Sequence, residues 1–250
     1  MNATVATLTR RSLLGRKRTL VLMLLPLALV GLCTLARVLA GLDADIEREL
    51  ETSLAPGFLT AFGIAILMPL LGLIAGTGSI GPEIDEGSIV YLLAKPLNRY
   101  SIVVTKLVVA IGVVVVFGVL PVLVSGVILT GEVGRLTLAF GVGALAAGVA
   151  YCAVFLLLAV LSRNAVVIGL IYALIWESLV GGIVPGAQAL SVQQWSLAVV
   201  QKVLGDDAAL LGVDAAVGFG TALVLLVVVT VGATVYAGRK LQTIRLSEDA

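Results

Sequence analysis

The sequence predicts an all-α integral membrane fold: six transmembrane helices with both ends in the cytoplasm, a short cytoplasmic helix between the second and third, and an interfacial outer helix between the fifth and sixth. Three observations predict it. Of the 250 residues, 60% are hydrophobic and 12% charged, against about 45–50% and about 25% in soluble domains. The apolar residues gather into six unbroken runs, each near the roughly 20 residues a helix needs to cross a hydrocarbon core of about 30 Å. Twelve of the sixteen Lys and Arg residues fall on one side of the spans so defined, the side that the positive-inside bias makes cytoplasmic.

The first run covers Leu20–Gly41 and follows the basic stretch Arg10, Arg11, Arg16, Lys17 and Arg18. A basic start, an apolar run and Val38-Leu39-Ala40 also have the form of a secretory signal. This run is longer than a signal core and is read as a retained span. The basic residues read as an ordinary topology signal with some attraction to anionic lipid heads, because Val5, Leu8, Leu13 and Leu14 do not share one helical face cleanly. The outer loop Asp43–Glu51 carries five acids and one Arg and reads as a solvated turn.

The second span is Phe58–Ile80, and the third is Ile102–Thr130. The third exceeds the core thickness and should tilt or bend, with Pro121 as its bend point because proline brings no backbone N–H. Between them lies Pro82–Ser101, with Glu83, Asp85 and Glu86 at its start, Lys95 and Arg99 at its end, and Pro96 to stop a helix. Acids suit a helix N-terminus. The apolar residues Ile84, Ile89, Leu92 and Leu93 need a surface to cover them, so a docking element for a soluble partner is expected here.

The fourth span is Leu136–Leu161 and the fifth Ala165–Val184. The outer segment 185–214 follows, with a helical pattern over Leu190–Leu204 whose polar residues form a narrow stripe. That pattern suits a helix at the membrane surface, either a simple cap over the bundle or an outer gate, with Trp195 at headgroup level. The sixth span is Ala215–Ala237. The chain reads as one domain over residues 1–250, and an even number of spans keeps both ends inside.

Composition excludes several functions. Net charge is +1, with no basic face for nucleic acid. Histidine is absent, which removes Ser-His and Cys-His catalysis, histidine-ligated zinc and histidine-ligated haem. No catalytic constellation and no metal site are expected. Cys33 and Cys152 lie inside apolar runs and do not suggest a disulfide framework. The run Gly76–Gly81 lacks the lysine of a phosphate loop; with Gly72, it reads as a close-packing face between helices. Glu177 is the one acid deep in a span. An acid there costs roughly 2.5–3.5 kcal/mol on insertion scales, so it is a candidate for a substrate or proton role, set against a structural hydrogen bond.

The pattern Glu83-x-x-Glu86-Gly87-Ser88-Ile89-x-x-Leu92-Leu93-x-x-Pro96-x-x-Arg99, followed by Lys106, resembles the cytoplasmic signature of ABC-2 type transporter permeases. Trp176-Glu177 is similar to the Trp-Glu pair of the branch resembling the copper-site maturation permease NosY. The resemblance is strong in residues only over 83–106, and covers nearly the whole chain in plan. It implies a permease subunit of the plasma (inner) membrane that pairs with a second copy or a sister permease, and two separate ATPase subunits that bind ATP and Mg while this chain binds no cofactor. It implies that the segment after the second span is a coupling helix, with Glu83, Asp85, Glu86, Gly87 and Ser88 seated on the ATPase and Arg99 closing the segment. Export is the direction it implies, and the apolar interior with scattered Ser, Thr and Gly suits a lipid-like or amphipathic cargo. An ion-coupled carrier or channel is the alternative reading, resting on Glu177 alone.

Overall fold

A computed structural model describes residues 3–13, 15–42, 50, 54–85, 99–180 and 186–243. Among them every regular element is helical. Helix α1 is Ala3–Leu13 and α2 is Arg16–Ala40. Helix α3 runs without a break from Ala55 to Asp85, π-wound over Leu59–Leu67. Helix α4 runs from Arg99 to Thr130 and is π-wound over Val115–Val119. Helix α5 is Arg135–Leu161. Helix α6 begins as Ala165–Ile171 and continues π-wound over Tyr172–Val180. After a short turn come α7, Val192–Leu204; α8, Asp207–Leu210; and α9, Phe219–Thr243.

Five helices are long and apolar enough to cross a membrane: those containing Leu22–Ala40, Ala55–Ile84, Arg99–Thr130, Arg135–Leu161 and Phe219–Gln242. Within the expected fifth span, Ala165–Val184, the described residues form a shorter apolar helix over Ala165–Glu177. Residues 181–185 lie outside the described residues. The faces turned outward have the character of a membrane protein. On α9, Leu223, Val224, Val227, Val228, Val231 and Val235 form an exposed apolar stripe at helical spacing, a surface that water would not tolerate at this extent.

Helix α5 is the hub, in contact with α3, α4, α7 and α9. Its closest seam is with α3 and is made by small residues. A Cβ on Gly72 would stand 2.5 Å from the Tyr151 Cβ, and one on Gly76 would stand 2.9 Å from the Phe155 Cβ. Two glycines one turn apart thus let two backbones approach across a pair of aromatic residues one turn apart, as the sequence reading expected. Pro121 does not break α4. The π-wound turn Val115–Val119 lies just ahead of it, where the helix accommodates the missing proline N–H.

Two expectations need correction. First, Pro82, Glu83, Ile84 and Asp85 are the last turn of α3 and do not open a separate helix. A proline is tolerated there because its absent N–H affects only the carbonyl of Gly78. Second, the N-terminal basic stretch is more than a charge signal. Helix α1 packs on α3 and α4, burying Thr9 and Leu13 while Leu8 faces out. Helix α7, the expected interfacial helix, packs as a cap on the bundle. It is wedged against α5 and α9, and Trp195 is only 4% exposed, with its ring N–H donating to the Ala189 carbonyl at 2.7 Å.

Candidate functional site

Two polar centres stand out inside this apolar bundle. The first lies where α1, α3 and α4 meet. The Lys106 side chain is fully buried, and its ammonium donates to the Glu83 carboxylate at 2.7 Å, to the Ser79 carbonyl at 2.7 Å and to the Thr9 hydroxyl at 3.4 Å. A lysine ammonium carries three donors, and these contacts match them. The arrangement follows from local structure. Ser79 and Glu83 are one turn apart on the last turns of α3, where exposed carbonyls make the helix end negative. Lys106 projects from the second turn of α4 onto that end.

Arg99, at the start of α4, donates to the Leu241 carbonyl at 2.6 Å, so a cation serves a carbonyl in the last turn of α9. Close by, Gly238 lies so near Tyr100 that a side chain there would collide with the ring. The first turn of α4 is therefore joined to both α3 and α9. Among the residues expected to form the docking element, Glu83 faces Lys106, Asp85 ends α3, and Arg99 holds α9. Glu86, Gly87 and Ser88 lie outside the described residues.

The second centre is at Glu177, which is 1% exposed. One carboxylate oxygen accepts from the Tyr172 hydroxyl at 2.9 Å and the Val192 N–H at 3.1 Å. The other accepts from the Ser191 hydroxyl at 2.5 Å and the Gln193 N–H at 3.3 Å. Val192 and Gln193 are the first two residues of α7. A helix leaves its first four N–H groups without intrahelical acceptors. Here the third, Gln194, donates to the Ser191 hydroxyl oxygen at 3.4 Å and the fourth, Trp195, to the Ser191 carbonyl at 3.2 Å. The buried end of α7 is thus completely satisfied, half by its own cap residue and half by a carboxylate from α6. Its other end is fastened as well: Gly205 closes it at φ 64°, and the Arg135 guanidinium donates to the Leu204 carbonyl at 3.4 Å. Behind Glu177, Tyr172 meets Phe155 edge-on at 6.0 Å, and Phe155 stacks on Tyr151 at 5.9 Å.

Sequence reasoning isolated Glu177 but not its partners. Ser191 carried a readable signal, since Ser followed three residues on by Gln has the form of a capping box. Nothing in the local sequence pointed to Thr9 or Ser79, which join the Lys106 cluster only through helix packing.

Across the chain, the model of a family described as ABC-2 family transporter protein matches residues 10–241. No curated protein matches. The matched stretch takes in Ser79, Glu83, Lys106 and the whole Glu177 centre, while Thr9 and the last residues of α9 lie just outside it.

Proposed function

The chain belongs to the ABC-2 family of transporter proteins, and from that premise we propose that it is the permease subunit of an ATP-driven exporter whose ATPase is a separate soluble protein. As a family member it is a multi-pass membrane component of an ABC transporter. The finer reading has two permease subunits, either two copies or one copy with a sister chain, in the plasma (inner) membrane. Two ATPases dock beneath them and supply the ATP and Mg chemistry. All six expected spans cross, so both ends and the 86–98 connection face the cytoplasm. Placement in the NosY-like branch rests on Trp176 and Glu177.

The observation that carries this reading is the Lys106–Glu83 pair. It stands at the root of the 86–98 connection, which bears the signature residues Glu86, Gly87 and Ser88. A push on that connection from an ATPase would reach α3 and α4 together, because the buried pair locks them, and would reach α1 through Thr9. An interior ion pair resists separation, since parting it leaves a charge without a partner in an apolar setting. Glu83 and Arg99 then act as the rigid base of the coupling element, and Asp85, Glu86, Gly87 and Ser88 as its contact surface. Glu177 serves as the joint between α6 and α7 on the outer side. A carrier mechanism that cycles protons through Glu177 is not favoured, because both of its oxygens are engaged in holding α7.

The test combines labelling with transport. Cys33 and Cys152 are buried, so single cysteines introduced within 86–98 can be read above background with a membrane-impermeant thiol reagent. They should label only after the cells are opened. The chain should also copurify with an ATPase, and Glu86→Lys should abolish ATP-dependent efflux while leaving the amount of folded permease unchanged. Labelling of 86–98 in intact cells, or wild-type efflux by the variant, would reject the proposal.

A further inference from the structure

Helix α1 does not close fully onto α4. Between them lies a groove of about 520 Å³ lined by Thr7, Arg10, Val109, Gly112, Val116 and Phe117, among others. That is within the roughly 300–1,000 Å³ of small-molecule sites. Its wall along α4 is hydrocarbon, and its one charged lining residue is Arg10 on α1. Gly112 leaves open space, since nothing lies within 4 Å of where its Cβ would be.

We propose that this groove is a binding site for one anionic phospholipid, with the phosphate on Arg10 and an acyl chain along α4. Two arguments choose this occupant. The first is length. The α4 wall from Val108 to Phe117 rises roughly 14 Å at 1.5 Å per residue, and one leaflet is half of a hydrocarbon core of about 30 Å. The wall therefore has about the length of one leaflet's acyl chain. The second is charge. Residues 1–18 hold Arg10, Arg11, Arg16, Lys17 and Arg18 and no acid, and the lining holds no carboxylate. A second copy of the chain on this face would bring another basic segment into the same apolar seam, whereas a lipid phosphate neutralises it. Because the lipid sits between α1 and α4, it would set how firmly α1 holds the helix that carries Lys106.

The site is tested on the full-length protein in mild detergent by native mass spectrometry, with phosphatidylglycerol or phosphatidylcholine added at equal concentration. Wild type should retain phosphatidylglycerol about fivefold more than phosphatidylcholine, the effect of one basic residue near an anionic lipid. Arg10→Gln, a change at an exposed side chain, should bring the two lipids level. Gly112→Leu, which fills the open space, should lower retention of both. Equal retention of the two lipids by wild type, or a preference that survives Arg10→Gln, overturns the proposal. So does Gly112→Leu changing the oligomeric state while lipid retention stays the same, which would make the groove an interface between copies. None of these readouts depends on transport or on an ATPase.

Discussion

The Glu177 carboxylate accepts the Ser191 hydroxyl hydrogen bond at 2.5 Å across fourteen residues of chain. The acid of one helix thereby completes the N-cap of the next. A carboxylate in a membrane span looks like a site for chemistry, yet here its four acceptor contacts account for it structurally. Gln193 and Val192 would otherwise have buried N–H groups with no acceptor, each at a cost of about 1–3 kcal/mol.

Replacing that acid should therefore loosen α7 before it affects anything else. Glu177→Ala is expected to cost about 2–4 kcal/mol, and Ser191→Ala about 1 kcal/mol. Glu177→Gln keeps one acceptor and should fall between them. Amide hydrogen exchange of the detergent-solubilised protein should show faster exchange confined to Val192–Trp195. Unchanged exchange there in Glu177→Ala would contradict the capping role.

At the cytoplasmic cluster, the two halves of the ion pair should behave unequally when removed singly and together. Glu83→Ala leaves a buried ammonium short of its anion and should cost about 3 kcal/mol, a fall of about 6–12 °C in thermal midpoint for a chain of this size. Lys106→Met with Glu83→Leu replaces both charges by hydrocarbon and should recover most of that loss. A double variant as unstable as the single one would mean that the pair is not the source of the effect.

The α3–α5 seam makes a steric prediction. Gly72→Val and Gly76→Val both force a side chain into the space held by Tyr151 and Phe155, and each should cost at least about 3 kcal/mol or prevent folding. Gly220→Ala, with open space around it, should be neutral or stabilising by up to about 1 kcal/mol, from helix propensity alone. The yield of monodisperse protein on size exclusion separates the two cases.

Arg99 is expected to hold the end of α9 rather than the protein as a whole. Arg99→Gln should expose the Leu241 carbonyl and fray the last turn, at about 1–2 kcal/mol. A spin label at Thr243 should gain mobility in this variant, while one at Leu223 should not. Equal gains at both positions would show that α9 moves as a body and that Arg99 does more than cap it.

Most of the fold was legible in order along the chain. Apolar runs of bilayer length recovered the five long helices to within a few residues, because crossing hydrocarbon is a demand on every residue of a segment. The close seam at Gly72 and Gly76 was legible for a related reason: small residues one turn apart mark where backbones meet. Residues 82–85 close α3 rather than open the connection that follows, although acids before an apolar stretch resemble a helix start. Glu83 in fact faces Lys106, a residue 23 positions away, and only that contact explains its place.

By itself, then, the sequence determined that this protein lives in a membrane, where its long helices lie and which family signature it carries. These are properties of composition, spacing and local motif, which act over one or two helical turns. Only the tertiary structure decided that Lys106 binds α1 to α3, that Glu177 caps α7, and that Arg99 serves α9. Each is a polar group whose partner is fixed by which helices pack together, and in an apolar interior a polar group must find its partner wherever packing brings one within reach.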